Sequence, residues 1–230
     1  MKASAFSLAL IVGLSLSARG DFTIVQKVEG KGAGNEITLK LKGDKIRVEA
    51  PPKVTAIIDG RTGDMITLMT AKRKFLRISG EKTKAIADLA AKYGGDNAEK
   101  TKLTATGKKM TINGYEAEEY VSESKLFKAR YWIAPSFPDS VAIIKQLQAV
   151  VPSAWSELAK GMMDYRDLPG FPLRTQVKTG EEEVTSTVIT VSRDPLSDAE
   201  FAVPKDFEEM KLPNIQISED KSAPSPSAKP

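Results

Sequence analysis

The chain of 230 residues contains no cysteine and no histidine. Without cysteine there are no disulfides, thiolate nucleophiles or iron–sulfur clusters, and without either residue the usual zinc sites are excluded. The absence of histidine also removes the base of a Ser-His-Asp triad. Hydrophobic residues make up 41% and charged residues 28% of the chain, an ordinary globular balance. The composition therefore favours a non-catalytic binding or structural protein that needs no cofactor and no metal.

Motifs that carry other chemistries are missing as well. No GxSxG elbow, P-loop or GxGxxG sequence occurs, and the glycine-rich stretch at 30–34 lacks the following helix that phosphate binding requires. Acidic residues cluster at 116–119 and at 181–183, but on strands and at turns such clusters are usually solvated. We therefore predict no catalytic residue and no enzyme activity.

The first twenty residues have the pattern of a secretory signal peptide. Lys2 is the positive n-region, residues 3–16 are apolar, and Ala18 and Gly20 are the small residues before a cut. The apolar run is shorter than the ~20 residues that a membrane span needs. Cleavage after Gly20 is the prediction, and cleavage after Ala18 is the alternative. The mature protein is then periplasmic or secreted, with no membrane span after signal removal.

Charge gives no indication of a nucleic-acid partner. Removing residues 1–20 takes away Lys2 and Arg19 and no acidic residue, so the net formal charge falls from +4 to +2. The densest basic run, Lys72-Arg73-Lys74, is typical of a solvated turn. We expect no binding to nucleic acid.

A period of two in the apolar residues predicts six antiparallel strands in the first part of the mature chain. Gly43-Asp44 predicts a hairpin turn, and Pro51-Pro52 closes a strand because proline cannot donate to a ladder. The predicted strands are 22–28, 37–41, 45–50, 54–59, 65–70 and 74–79.

The period then changes to that of helices and returns to that of strands. Helical spacing predicts helices over 82–93, 140–151 and 154–163, with Asp139 capping the second. Residues 96–108 are polar and predict a loop. Asn113-Gly114 is a strong hairpin signal. Further strands are predicted at 109–113, 115–124, 127–134, 173–180 and 183–193, with an extended piece at 199–203.

These elements predict one α+β domain over 21–212, followed by a disordered Pro/Ser-rich tail over 213–230. About nine or ten antiparallel strands form a sheet wide enough to curl strongly into an unclosed half-barrel, with a few helices covering its concave face. Apolar residues of the strands and helices are the predicted lining of a ligand site; the alternative is that they are plain core. The predicted lining comprises Leu39, Leu41, Ile46, Val48, Ile58, Leu76, Ile78, Trp132, Ile143, Ile144, Leu147, Trp155, Met162 and Met163.

Several phrases of the sequence resemble the bacterial family called domain of unknown function 4412. They include GDKIRVEA at 43–50, IIDGRTGDMI at 57–66, GKKMTINGYEAEEY at 107–120 and FAVPKDF at 201–207. The order of elements is similar to that of LolA/LolB-like periplasmic lipoprotein carriers. The resemblance implies an unclosed barrel with a helical lid that holds acyl chains, and it offers no catalytic residues.

The sequence leaves two functions open. The first is an exported binding protein that holds a lipid or another apolar ligand on the concave face of the sheet. The alternative is a module that binds an envelope protein or senses the envelope without a small molecule. A cavity lined by apolar side chains would favour the first, and a filled core would favour the second.

Overall fold

The computed structural model describes residues 20–30, 36–50, 54–93, 102–124, 128–150 and 167–211. Three predictions lie largely or wholly outside these residues: the signal peptide, the helix at 154–163 and the disordered tail. Trp155, Met162 and Met163 of the predicted lining belong to that helix. These predictions stay untested.

The first meander consists of six strands, as the period of two predicts. They are β1 (Phe22–Gly30), β2 (Glu36–Lys42), β3 (Lys45–Ala50), β4 (Val54–Asp59), β5 (Met65–Met69) and β6 (Lys74–Ile78). Helix α1 (Gly80–Tyr93) follows and begins two residues before the predicted start.

The second meander contains five strands and the second helix. The elements are β7 (Thr104–Ile112), β8 (Tyr115–Glu123), β9 (Lys128–Ile133), α2 (Ser140–Val150), β10 (Pro172–Thr179) and β11 (Glu182–Ser192). A 3₁₀ turn (Asp198–Phe201) and a two-residue strand β12 (Glu208–Glu209) complete the described chain.

The twelve strands of the described residues belong to one sheet in the order β12-β6-β5-β4-β3-β2-β1-β11-β10-β9-β8-β7. The predicted number of nine or ten was therefore too low. The two meanders are joined by the antiparallel pairing of β1 with β11. The pairing of β12 with β6 is parallel, unlike the other pairings of the sheet. The α+β class and the antiparallel sheet are confirmed, with two α-helices among the described residues.

The turns that glycine and asparagine predict have the expected backbone. Asn113 and Gly114 have φ angles of 51° and 83°, so both central residues adopt the left-handed conformation of a type I′ turn. Gly43 has a φ of 54° in the β2–β3 turn. These positions fix the registers of two hairpins.

Two segments differ from their prediction. Strand β7 begins at Thr104, inside the predicted loop 96–108, and a register shift lies between Ala105 and Lys109. The piece predicted as extended at 199–203 starts as a 3₁₀ turn, closed by a capping box between Ser197 and Glu200. The 3₁₀ turn forms here because the side chains of Ser197 and Glu200 accept hydrogen bonds from backbone amides of the same segment.

Candidate functional site

One face of strands β2 to β6 is almost entirely apolar. Side chains alternate between the two faces of a strand, and the pairing register then places matching positions of neighbouring strands on one face. The two polar residues on this face of β2 to β6 are Thr67 and Lys74. We call this surface the apolar face. Its other residues are Ile37, Leu39, Leu41, Ile46, Val48, Ala50, Val54, Ala56, Ile58, Met65, Met69, Leu76 and Ile78.

Helix α2 covers one end of the apolar face. Leu41 and Ile46 are buried in an apolar cluster with Ile143, Ile144 and Leu147 of the helix. The same cluster includes Phe22 and Ile24 of β1 and residues of the second meander such as Ala117 and Leu173. These members of the predicted lining therefore pack against one another as core.

The backbone of α2 approaches the sheet closely at Gly60. A Cβ atom built on Gly60 would lie 2.5 Å from the Val150 Cα and 2.6 Å from the Ala149 carbonyl oxygen. The Gln146 amide also donates to the Gly43 carbonyl over 3.2 Å. The end of α2 is thus fixed against the β2–β3 and β4–β5 turns.

Beyond the area that α2 buries, the apolar face is only partly covered. Leu39, Val48 and Ile58 are half-buried beside the cluster under α2. Leu76 and Ile78 are also half-buried but belong to none of the apolar clusters of the described residues. Further along the same face, Val54 is 40% exposed. A contiguous apolar surface of this kind is what a hydrophobic ligand would use.

Trp132 lies apart from these residues, on β9 in the second meander. It is half-buried beside the cluster under α2, and the Arg174 guanidinium lies 5.4 Å from the centre of its ring. The geometry is that of a cation–π contact. The Trp132 ring is therefore already in contact with a side chain of the same protein.

The opposite face of the first meander is covered by the segment 194–209, which we call the strap. Leu196 and Phe201 of the strap are buried with Ile57, Leu68 and Phe75 of the sheet. The strap then adds β12 to the edge strand β6. The sequence did not predict this packing, although Ser197 followed by Glu200 is a capping-box signal that could have located its turn.

Charged contacts hold the strap to the sheet. The Lys40 ammonium donates to the Glu200 carboxylate at 2.5 Å, and this bond lowers the pKa of Glu200. The Arg47 guanidinium donates to the Glu200 carbonyl at 2.6 Å, and Lys42 lies 2.9 Å from the Asp198 carboxylate. The Asp21 carboxylate accepts from the Leu196 amide at 2.7 Å.

The acidic residues at 116–119 are used in local contacts. Glu116 pairs with Lys109 at 2.8 Å. Glu119 is buried, accepts a hydrogen bond from the Thr106 hydroxyl at 2.8 Å, and lies 3.8 Å from Arg130. Burial, followed by the charge of Glu118, raises the pKa of the neighbouring Tyr120. Within the described residues, no group of acidic side chains is arranged to hold a metal ion.

A shallow cleft of about 480 Å³ lies at the start of α2 and is separate from the apolar face. None of the predicted lining residues that the structure describes borders it; Pro135, Phe137, Asp139, Ser140, Val141, Ala142, Lys145 and Pro169 line it. The Asp139 side chain, predicted to cap α2, pairs with Arg193 instead. Of the described helices, neither is long and apolar enough to cross a membrane.

The fold and the site define a protein with one wide antiparallel sheet, an apolar face and a packed helix. The family model "Domain of unknown function (DUF4412)" matches residues 20–207. The chain therefore belongs to this family, which confirms the resemblance noted in its sequence. No curated protein matches the sequence.

Several solved structures are similar at a distance. PNGF-II is 12% identical with a TM-score of 0.44, over 83% of this chain and 31% of that protein, so the chain spans less than a third of its length. The lipoprotein LppX of Mycobacterium tuberculosis is 9% identical with a TM-score of 0.39, over 77% of this chain and 88% of LppX. MucB, solved in complex with MucA(peri), is 10% identical with a TM-score of 0.34, over 84% of this chain and 58% of MucB. These likenesses are too distant to assign a function.

Proposed function

We propose that the protein is an exported, non-catalytic binding protein that holds a lipid or another apolar ligand on its apolar face. The observation that carries this proposal is the half-buried apolar stretch around Leu76, Ile78 and Val54. Removing a CH₂ group of an acyl chain from water contributes about 0.8 kcal/mol, so several methylenes suffice for micromolar binding after the cost of association.

The proposal includes a sheet that curls into an unclosed half-barrel. The width of the sheet favours curling, since open sheets of more than about ten strands rarely stay flat. The Asn113 side chain, at the tip of the β7–β8 turn, donates to the Val188 carbonyl on β11 at 2.6 Å. Three strand spacings, about 14 Å, would separate β8 from β11 in a flat sheet. This contact supports a sheet that bends toward its apolar side chains.

The location and the partners belong to the same proposal. The n-region and apolar stretch of residues 1–20 support export through a cleaved signal peptide, to the periplasm or the medium. N-terminal sequencing of the exported protein should begin at Asp21, or at Arg19 for the alternative cut. Retention of Met1 in the exported fraction would contradict export by cleavage.

Titration of the mature chain with a fluorescent fatty acid, and mass spectrometry of lipid that copurifies with it, test the binding. We expect saturable binding, weakened about tenfold by Leu76→Gln because an amide replaces an apolar contact with the ligand. The matched control is Ile189→Gln on β11, where the native side chain is 46% exposed and lies off the apolar face. If no acyl length binds saturably and no lipid copurifies, the envelope-protein module takes the place of this proposal.

A further inference from the structure

We infer that the ligand of the apolar face is an acyl chain that ends in an anionic head group, and that the head group lies beside Lys74. This inference rests on the proposed function and specifies its ligand. Lys74 is the single charged residue on the apolar face of β2 to β6. Its register partner is Met69, which in turn pairs with Val54, the most exposed apolar residue of that face.

The Lys74 charge is available at the exposed end of the face. Lys72 and Lys74 are both exposed, and within the described ranges neither has an ion-pair partner. Arg73 between them lies 3.7 Å from Asp206. Glu208 is placed beside Lys74 by the parallel pairing of β12 with β6, but no ion pair joins the two. This end of the apolar face therefore carries a net positive charge.

The end near α2 carries both signs of charge, since Arg61 lies in the same turn as Asp59 and Asp64, and Lys45 is the register partner of Asp59. The Asp59 carboxylate accepts from the Arg61 and Thr62 amides at 2.9 and 3.2 Å, and Asp64 accepts from the Gly80 amide at 2.9 Å. These carboxylates occupy the β4–β5 turn, next to the Gly60 position that α2 contacts. An anionic head group is attracted at Lys74, whereas α2 closes the other end of the face, so the chain is oriented with its tail toward α2.

The distance between the two ends suits an acyl chain of moderate length. Ile58 pairs with Met65, and Val54 pairs with Met69, so the path from Ile58 to Lys74 covers four residue steps and two strand spacings. At about 3.3 Å per residue and about 4.8 Å per strand, the diagonal is about 16 Å. Carbon–carbon bonds of about 1.5 Å at about 111° advance about 1.25 Å each, so roughly twelve methylenes cover this path.

The test compares three ligands with the same twelve-carbon chain on the mature protein: dodecanoate, dodecanol and dodecyltrimethylammonium. Each is titrated below its micelle concentration against the neutral dye N-phenyl-1-naphthylamine, and displacement of the dye is measured. We expect dodecanoate to bind about fivefold more tightly than dodecanol, the scale of one exposed ion pair, and the cation to bind most weakly. The difference in affinity between dodecanoate and dodecanol should become smaller at high salt because exposed charges are screened.

Charge variants on β6 and on its neighbour β12 locate the head group. Lys74→Glu should remove the preference for dodecanoate over dodecanol, and Glu208→Gln should increase that preference. The control is Arg77→Glu, which makes the same change of charge on β6 but on the opposite face, where Arg77 lies 5.9 Å from the Phe75 ring. Dodecanol affinity should stay within twofold in all three variants, which also shows that they are folded.

The outcomes separate the two proposals. Equal affinity for dodecanoate and dodecanol, or equal effects of Lys74→Glu and Arg77→Glu, overturns the head-group inference and leaves the apolar site standing. Failure of all three ligands and of the dye to bind overturns the proposed function itself. Displacement by acetate or inorganic phosphate alone would also overturn the inference, since it would indicate an anion site without a chain.

Discussion

The two faces of the first meander are built from the same strands but are covered in different ways. On the apolar face, α2 buries Leu41 and Ile46, while Leu76 and Ile78 stay half-buried. On the opposite face, the strap combines an apolar contact at Phe201 with the charged contacts of its acidic residues. Within the described residues the strap closes its face of the sheet, whereas part of the apolar face stays uncovered, and the proposed ligand site rests on that difference.

The predicted ligand residues fall into two groups, whose substitutions report on different properties. Residues under α2 stabilise the fold, so their substitution reports on folding before it reports on binding. Residues beyond α2 are the ones whose substitution can report on binding. Three variants, with their controls, test the packing under α2 and the contacts of the strap.

Leu147→Glu should have the largest effect. Leu147 is 3% exposed in the cluster under α2, and an unpaired carboxylate there must be buried or must force the helix off the sheet. We expect a loss of about 4 kcal/mol or more in the free energy of unfolding, measured by urea titration. Val141→Glu on the same helix is the control, because Val141 is 62% exposed and its substitution should cost less than about 0.5 kcal/mol. Equal stabilities for the two variants would contradict the placement of α2.

Phe201→Ala should have a smaller effect and should act on the strap face. Phe201 is 6% exposed and packs with Ile57, Leu68 and Phe75. Truncation of a buried phenylalanine costs about 3 kcal/mol in the free energy of unfolding. We expect this loss in urea unfolding, with dodecanoate affinity unchanged within twofold because the strap lies behind the apolar face. The control Met210→Ala removes a side chain that is 40% exposed and should change stability little. A fall in dodecanoate affinity that follows the fall in stability would contradict the independence of the two faces.

The sequence predicted the parts of this arrangement that depend on local chemistry. Alternation of apolar residues located β1 to β6, and Asn113-Gly114 located a turn whose two positive φ angles the structure confirms. The start of β7 was missed because residues 104–108 are polar or small and do not alternate, as an edge strand allows. Seven of the predicted lining residues, from Leu39 to Ile78, share one face of the sheet, and their role in lining a ligand site stays a prediction.

Long-range packing was beyond this kind of reasoning. The strap contacts strands more than a hundred residues earlier in the sequence. Neither the spacing of its apolar residues nor the position of Glu200 indicates which strands these are. Spacing also could not separate Ile143 and Leu147, which are core, from Leu76, which is half-buried, because all three are equally apolar. The distinction depends on which part of the sheet α2 covers, and that is a property of the tertiary structure.

The smallest expected effect is a pH dependence of the strap contact. The bond from Lys40, assisted by the Ser197 amide, lowers the pKa of Glu200 below the 4.5 of a free glutamate side chain. The contact therefore stabilises the fold fully above about pH 4.5, and this contribution is lost as the pH falls through the lowered pKa. Because the side chain is 30% exposed, solvent screens the pair and we expect about 0.5–1 kcal/mol.

Glu200→Gln isolates this contribution, since glutamine keeps the capping box but not the charge. Urea unfolding at pH 6.5 should give a stability about 0.5–1 kcal/mol below that of the native chain, and the difference should shrink as the pH is lowered below about 4.5. Glu36→Gln, at an exposed position on β2, should leave the pH dependence unchanged. A difference between Glu200→Gln and the native chain that is constant from pH 6.5 to pH 3 would mean that packing, and not the charge of Glu200, holds the strap on its face.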